Sequence, residues 1–297
     1  MTQKQDIYTR VTNKIIADLE NGQRTWLKPW STKNLTGRII APMRHNGEHY
    51  QGINILLLWG TSVNCGYTCN HWMTFKQAKE LGGNVIKGMK GETVVYANKI
   101  IKTKTDDNGE EKDYSIPFMK SYTVFNVEQI EGLPEHFYTK PEPITSDIQR
   151  DTTLDQFFFN TGAKINHGGN RAYYNISSDF IQMPFLECFK KSQGYYATLA
   201  HEITHWTRHK SRLNRDFGRK RWGDKGYAQE ELVAEIGSAF LCAELGITPE
   251  VQPDHAAYID SWLSVLKQDK KAIFKAAAHA QRAVDYLKSY QIHEIAA

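Results

Sequence analysis

Ile7, Val11, Ile15 and Leu19 recur at four-residue intervals near the start of the chain, and Gly22 closes the run. That spacing lines one face of a helix and the glycine stops it, so an amphipathic helix is expected over residues 6–21. Between Trp26 and about Pro134 the texture changes to short apolar runs broken by Gly, Asn and Pro, at residues 52–59, 92–96 and 122–127. A mixed α/β module is expected there, with a short helix over 75–81 and the polar stretch 105–113 as an exposed hairpin or loop. Residues 133–146 hold Pro134, Pro141 and Pro143 with little apolar content and read as a linker. Beyond it the pattern predicts a helix from Thr153 to Asn160, strands at 172–174 and 180–183, and helices over 195–209 and 229–245, the latter stopped by Gly246. A last helical stretch, 258–290, is expected to break near Asp269.

A chain of 297 residues has room for one large domain or two ordinary ones, each with its own core. No run of about 18 apolar residues occurs, so no transmembrane helix is expected. The first residues lack the basic-then-apolar pattern of a secretory signal, and four cysteines do not suggest a disulfide framework. A reducing, cytoplasmic setting is expected.

The net charge of +4 conceals an asymmetry. Residues 1–104 carry fifteen Lys and Arg against six acids, a balance of +9, whereas residues 105–150 carry four basic residues and ten acids. A basic amino-terminal region suits a polyanionic partner, with nucleic acid the leading candidate. Within it Trp26, Lys28, Trp30, Arg38, Arg44, Tyr50 and Trp59 interleave aromatic and cationic side chains. Aromatic faces stack on unpaired bases while Lys and Arg follow the phosphates, a pairing that suits single strands of DNA or RNA. Any one of these tryptophans would sit equally well in a core; the combination with the charge favours binding.

The sharpest chemistry lies in His201-Glu202-Ile203-Thr204-His205. Two histidines four residues apart on a helix project from one face and can hold a single Zn²⁺. Glu202, beside the first of them, is placed to serve as general base toward a water held by that ion. Tyr196, Leu199, Ala200, Ile203 and Trp206 supply the buried side of the helix. Such a site needs a third protein ligand and carboxylates that orient the histidines. Glu231 and Glu235, four apart on the next helix, fill both roles, Glu231 as ligand and Glu235 as orienting acceptor; the reverse assignment of the two is the alternative. A solvated acidic face is the bland reading of Glu230, Glu231 and Glu235. The same helix carries Leu232, Val233, Ile236, Ala239, Phe240 and Leu241, so it must be largely buried, and coordination relieves the cost of burying carboxylates. His₂Glu ligation would accept Mn²⁺ or Co²⁺ as well as Zn²⁺.

Two further features are less specific. Cys65, Cys69 and His71 lack a fourth ligand at a finger-like spacing, so reduced cysteines in a folded loop are expected. The basic residues of 208–215 and 219–222 are either a second nucleic-acid patch or an exposed loop neutralised by acids, and both readings stay open.

Several motifs together resemble one family. Trp26-Leu27-Lys28-Pro29-Trp30, Tyr50-Gln51-Gly52-Ile53-Asn54, Thr74-Phe75-Lys76-Gln77-Ala78, Lys87-Gly88-Met89-Lys90-Gly91 and Val124-Phe125-Asn126-Val127-Glu128-Gln129-Ile130 resemble the amino-terminal domain of ArdC-type antirestriction proteins, also found at the start of some plasmid primases. Asp179-Phe180-Ile181-Gln182-Met183-Pro184, the segment 197–207 and the segment 227–235 continue the likeness, which covers nearly the whole chain. The resemblance implies a conjugative-plasmid protein with a single-stranded DNA-binding domain and a zincin domain, whose role is to shield incoming plasmid DNA from host restriction.

The expected protein is therefore α+β with two domains. Residues 1–132 form a mixed α/β, single-stranded DNA-binding domain able to fold alone, with Trp26, Lys28, Trp30, Arg38 and Arg44 on the DNA. Residues 133–146 are the linker, and 147–297 form a mainly helical, zincin-like metallopeptidase domain with Glu202 as base. A protein substrate of unknown identity is a second partner this chemistry allows. The competing class is a strand-coating protein whose zincin fold is structural; a secreted, toxin-like peptidase fits neither the amino terminus nor the basic first half.

Overall fold

The structure, a computed structural model, describes residues 6–21, 41–105, 111–139, 150–189, 191–218, 224–247 and 256–291. Helix α1, Ile7–Glu20, starts where Asp6 accepts from the Thr9 backbone N–H at 3.1 Å, and it buries Val11, Ile15 and Leu19 as their spacing predicts. Strand β1, Met43–Arg44, leads to α2, Ile53–Cys65, which takes up the apolar run of 52–59 and ends at Gly66 in the left-handed conformation, φ 74°. Strand β2, His71–Met73, precedes α3, Phe75–Glu80, whose start is closed by a reciprocal Thr74–Gln77 capping box. Short β3, Asn84–Val85, pairs with β6, Ile130–Glu131. Between these lie β4, Glu92–Thr105, and β5, Glu111–Asn126, paired antiparallel along their whole length. The main sheet has the order β1-β2-β5-β4. Asn54 of α2 closes the outer edge of β4 at its root, accepting from the Val95 N–H and donating to its carbonyl, both at 2.8 Å.

The second half opens with α4, Thr152–Asn160, capped by Asp151. A three-stranded sheet follows in the order β7-β9-β8, from β7, Ile165–His167, β8, Tyr173–Asn175, and β9, Phe180–Met183. The helices are α5, Ser192–Trp206, α6, Lys225–Leu245, α7, Ala256–Gln268, and α8, Ala272–Lys288. The break between α7 and α8 falls at Asp269, whose carboxylate accepts from the Lys271 N–H at 2.8 Å. Among the described residues no helix is long and apolar enough to cross a membrane.

Contrary to the expectation of a first domain able to fold alone, the two halves share a core, although a smaller cluster around Met73, Ala78, Val127 and Ile130 belongs to the first half by itself. One apolar cluster runs from Val11, Ile15 and Leu56 through Tyr196 and Phe240 to Ile273 and Val284. Tyr8 meets Phe274 edge-on at 4.8 Å, and Thr12 Oγ1 donates to the Lys270 carbonyl at 2.6 Å. Helical periodicity shows that a face is apolar but not which element covers it, and here α1 is covered by α7 and α8. The expected linker also begins as folded structure: residues 135–138 make a 3₁₀ turn that buries Phe137 beside Val127 and Ile130, while 140–146 lie outside the described residues. Residues 1–132 expressed alone are accordingly expected to expose the α1 and α2 faces and bind the dye ANS, whereas the full chain does not. A monomeric fragment with cooperative melting and no ANS signal would show that the shared cluster is dispensable.

Candidate functional site

Helices α5 and α6 build the site. No Gly or Pro breaks α5 after Gly194, so His201 and His205 stand one turn apart on one face. Helix α6 starts where Asp224 accepts from the Tyr227 N–H at 2.8 Å. It approaches α5 at Gly237, where an added Cβ would lie 2.5 Å from Thr204 Cγ2, so a side chain there would push the helices apart. This close approach brings Glu231 to the two histidines. His201 Nε2 and His205 Nε2 are 3.2 Å apart. Glu231 Oε2 lies 3.7 Å from the first, and Oε1 lies 3.6 Å from the second. Among the described residues this is the group of His, Cys, Asp or Glu side chains close enough to hold a metal ion.

Around that triangle lies a layer of carboxylates. Glu235 Oε1 is 3.5 Å from His201 Nδ1, and Glu230 Oε1 is 3.1 Å from His205 Nδ1. A carboxylate only accepts, so a neutral His205 carries its proton on Nδ1 and turns the Nε2 lone pair inward. Glu230 is itself gripped by Arg215, whose Nε donates to Oε2 at 2.8 Å and Nη2 to Oε1 at 2.7 Å. The same guanidinium donates to the Thr204 carbonyl at 3.0 Å and to Thr207 Oγ1 at 3.1 Å. Glu202 is buried on α5 beside His201.

Electrostatics follow from this crowding. Burial acts to lower both imidazole pKa values, but the facing carboxylates outweigh it: His201 is raised by Glu231 and Glu235, and His205 is pushed up to about 10 by Glu231 and Glu230. Burial acts to raise Glu230, yet Arg215 and His205 hold it down to about 2. Glu231, likewise buried, is held far below the usual carboxylate range by the two histidines. Formally, the carboxylates of Glu202, Glu230, Glu231 and Glu235 face the guanidiniums of Arg215 and, 4.0 Å from Glu230, Arg208. With both imidazoles neutral, as metal ligands must be, two negative charges remain for a divalent cation to balance; without the ion, protons on the raised imidazoles offset them. Two imidazoles and a carboxylate with that surplus fit a zinc-class ion.

Elsewhere the sequence-derived residues fare differently. Trp26, Lys28, Trp30 and Arg38 lie outside the described residues. Arg44 is in β1, half-exposed, paired with Glu48 at 2.9 Å and over the Tyr50 ring at 5.4 Å. Trp59, grouped above with stacking aromatics, is a core residue: it is 3 % exposed and packs on Phe240, so its faces are not available to bases. In 208–215 the arginines turn inward. Arg212 lies 3.9 Å over the Trp206 ring and pairs with Asp179, and Arg215 is buried on Glu230, so these arginines are neutralised by acids as the second reading has it, but turned inward and not exposed; 219–222 lie outside the described residues. The site residues that sequence reasoning missed are Glu230, which looked like part of a solvated run, and Arg215, for which no local signal exists.

Comparison with known proteins agrees with this architecture. Residues 5–125 match the model of the N-terminal domain of anti-restriction factor ArdC, and residues 152–279 match that of a zincin-like metallopeptidase. The chain is 38% identical over 292 residues to the uncharacterized protein y4eC of Sinorhizobium fredii, covering 96% of this chain and 92% of that one. It is 36% identical over 307 residues to a DNA primase TraC of Escherichia coli, and there 98% of the chain spans only 28% of the primase. The metal-free crystal structure of antirestriction protein ArdC from plasmid R388 superposes with a TM-score of 0.82 at 48% identity, over 96% of this chain and 98% of that one. Its Mn(II)-bound structure gives 0.78 at 46% identity with the same coverage. A chain that carries both domain types in this order, and matches a solved member along nearly its full length, belongs to the ArdC family of antirestriction proteins.

Proposed function

We propose that the chain is a plasmid antirestriction factor that binds single-stranded DNA through its amino-terminal half and holds a zinc-class divalent ion at His201, His205 and Glu231, so protecting incoming conjugative DNA from host restriction. The convergence of those three side chains, each histidine backed by its own carboxylate, is the observation that carries the metal reading. Family membership and the likeness to ArdC of plasmid R388 support the antirestriction role. Manganese in the R388 structure accords with a donor set that takes Zn²⁺, Mn²⁺ or Co²⁺. Bound there, the ion would supply a Lewis acid able to polarise a carbonyl group. Glu235 and Glu230 orient His201 and His205, and the Glu202 carboxylate is the group that takes up and returns a proton. Residues 1–132 carry the DNA and 147–297 the metallopeptidase fold, with the connection drawn at 133–146 although Leu133 and Phe137 pack with the first of them. The setting is the cytoplasm of a bacterium that donates or receives the plasmid.

The test is restriction protection in a recipient strain, comparing the wild-type chain with Glu202→Ala. Loss of protection with metal content and DNA binding intact supports a hydrolytic role toward a protein target. Full protection by Glu202→Ala means that the zincin domain serves structurally and that strand binding is the function.

A further inference from the structure

Beyond its root, the β4–β5 pair is a two-stranded ribbon: β2 joins β5 only at Phe125 and Asn126, while β4 and β5 stay paired out to Thr105 and Glu111. In antiparallel strands directly opposite residues share a face, and faces alternate along each strand. The register Val94↔Tyr122, Tyr96↔Lys120 and Asn98↔Phe118 therefore puts Tyr96, Phe118, Lys120 and Tyr122 on one face. The opposite face carries Ala97, Lys99, Ile101, Met119 and Ser121, with no aromatic ring. Tyr96 is 41% exposed and Tyr122 44%, too open for core residues. The Tyr96 and Phe118 rings lie 6.1 Å apart, with the Lys120 ammonium 5.4 Å over Phe118.

Charge decides what can cover this face. On the ring-bearing face the register places Lys102 and Lys120, and the acid on that face of β4, Glu92 at the root, is already paired with Lys14 at 2.8 Å. A second copy docking through the same face would bring like charges together. Duplex DNA offers phosphates but hides its base faces. An unpaired strand offers both flat bases for exposed rings and phosphates for ammonium groups.

We propose that the face of the β4–β5 ribbon bearing Tyr96, Phe118, Lys120 and Tyr122 is a docking surface for single-stranded DNA, bases stacked on the rings and phosphates along Lys102 and Lys120; this rests on the reading above that the amino-terminal half binds unpaired DNA. The full chain is titrated against a fluorescein-labelled oligothymidylate by anisotropy across a salt series. The Tyr96→Ala/Tyr122→Ala variant should bind at least about tenfold more weakly with its salt slope nearly unchanged, while Tyr96→Phe/Tyr122→Phe keeps its affinity. Lys120→Gln should reduce the log–log salt slope by about 0.7. Ile101→Ala, a 69% exposed residue on the ring-free face, should change neither quantity. If the wild type binds and the double-alanine variant binds equally well, the ribbon assignment is overturned while DNA binding stands. If the wild type does not bind, the underlying reading falls with it. A wild-type dimer that the double-alanine substitution dissociates, with affinity for the oligonucleotide unchanged, would make the face a contact between copies and overturn the assignment.

Discussion

Arg215→Ala is expected to destabilise the fold by about 3–5 kcal/mol, because it strips the partner from a carboxylate that stays buried. The side chains of Arg215 and Glu230 are 1% and 3% exposed, so water cannot replace the lost bonds. The guanidinium also ties the end of α5 to α6 through the Thr204 carbonyl and Thr207 Oγ1; without it the carbonyl keeps the Thr207 hydroxyl as donor, at 2.6 Å, while Thr207 Oγ1 loses the donor from Arg215. A second consequence reaches the metal triangle. Glu230 without Arg215 no longer holds His205 in one orientation, and divalent-ion affinity should fall by about 10–100-fold. Arg215→Lys keeps the charge but not the two-pronged geometry, so it should recover part of the stability and little of the affinity. The double variant Arg215→Met/Glu230→Leu removes both charges and should regain much of the melting temperature, whereas its ion affinity stays low. Thermal melting of metal-free protein and calorimetric titration with Zn²⁺ separate the two effects. Unchanged melting and affinity in Arg215→Ala would show that the chain of contacts from Arg215 to His205 has no energetic weight.

The other large effect belongs to the triangle itself. Dialysed wild-type protein should take up about one zinc-class ion per chain, and His201→Ala or His205→Ala should abolish it, since two remaining donors cannot close a site of this kind. Glu231→Ala should weaken binding more than Glu235→Ala, because the first removes a donor and the second only the carboxylate 3.5 Å behind His201. The reverse order would make Glu235 the third ligand. Binding also stabilises the native state by mass action, about 2.7 kcal/mol at a hundredfold excess over Kd. A zinc-dependent rise in melting temperature should appear in the wild type, disappear in His205→Ala, and be removed by a chelator. Full metal occupancy in a His201→Ala/His205→Ala protein would move the site elsewhere.

Local features are legible in the sequence. The spacing of His201 and His205 is a helical period, and α5 has it because nothing in 195–206 interrupts the turn-by-turn hydrogen bonds. The apolar faces of α1 and α6, the stop at Gly246 and the break at Asp269 are likewise local events, each decided by residues within a turn or two. Strands were harder. β4 and β5 extend well past the apolar runs at 92–96 and 122–127, because a ribbon with two solvent-facing sides needs no alternation of apolar and polar residues to mark it.

Pairings between distant segments were decided by the tertiary structure. Glu230 and Glu231 are neighbours in an acidic run, and only the packing of α6 on α5 turns one toward the lone pairs at the centre and the other toward His205 Nδ1. Arg215 belongs to a basic stretch that composition would place in solvent; the chain's return from α5 to α6 folds it beneath Glu230 instead. Trp59 looked like a stacking platform until α2 met α6 through Phe240. By itself, the sequence determined that α1, α5 and α6 are helices, that Gly246 stops α6 and Asp269 breaks the last helical stretch, and which chemistry the helices carry, since periodicity and ligand spacing act within a few residues. The starts of α5 and α6 at Ser192 and Lys225, and the helical form of α2, came with the structure. Which carboxylate backs which histidine, which arginine is buried, and that two domains share one apolar cluster were settled only when burial of their faces brought segments far apart in the chain into contact.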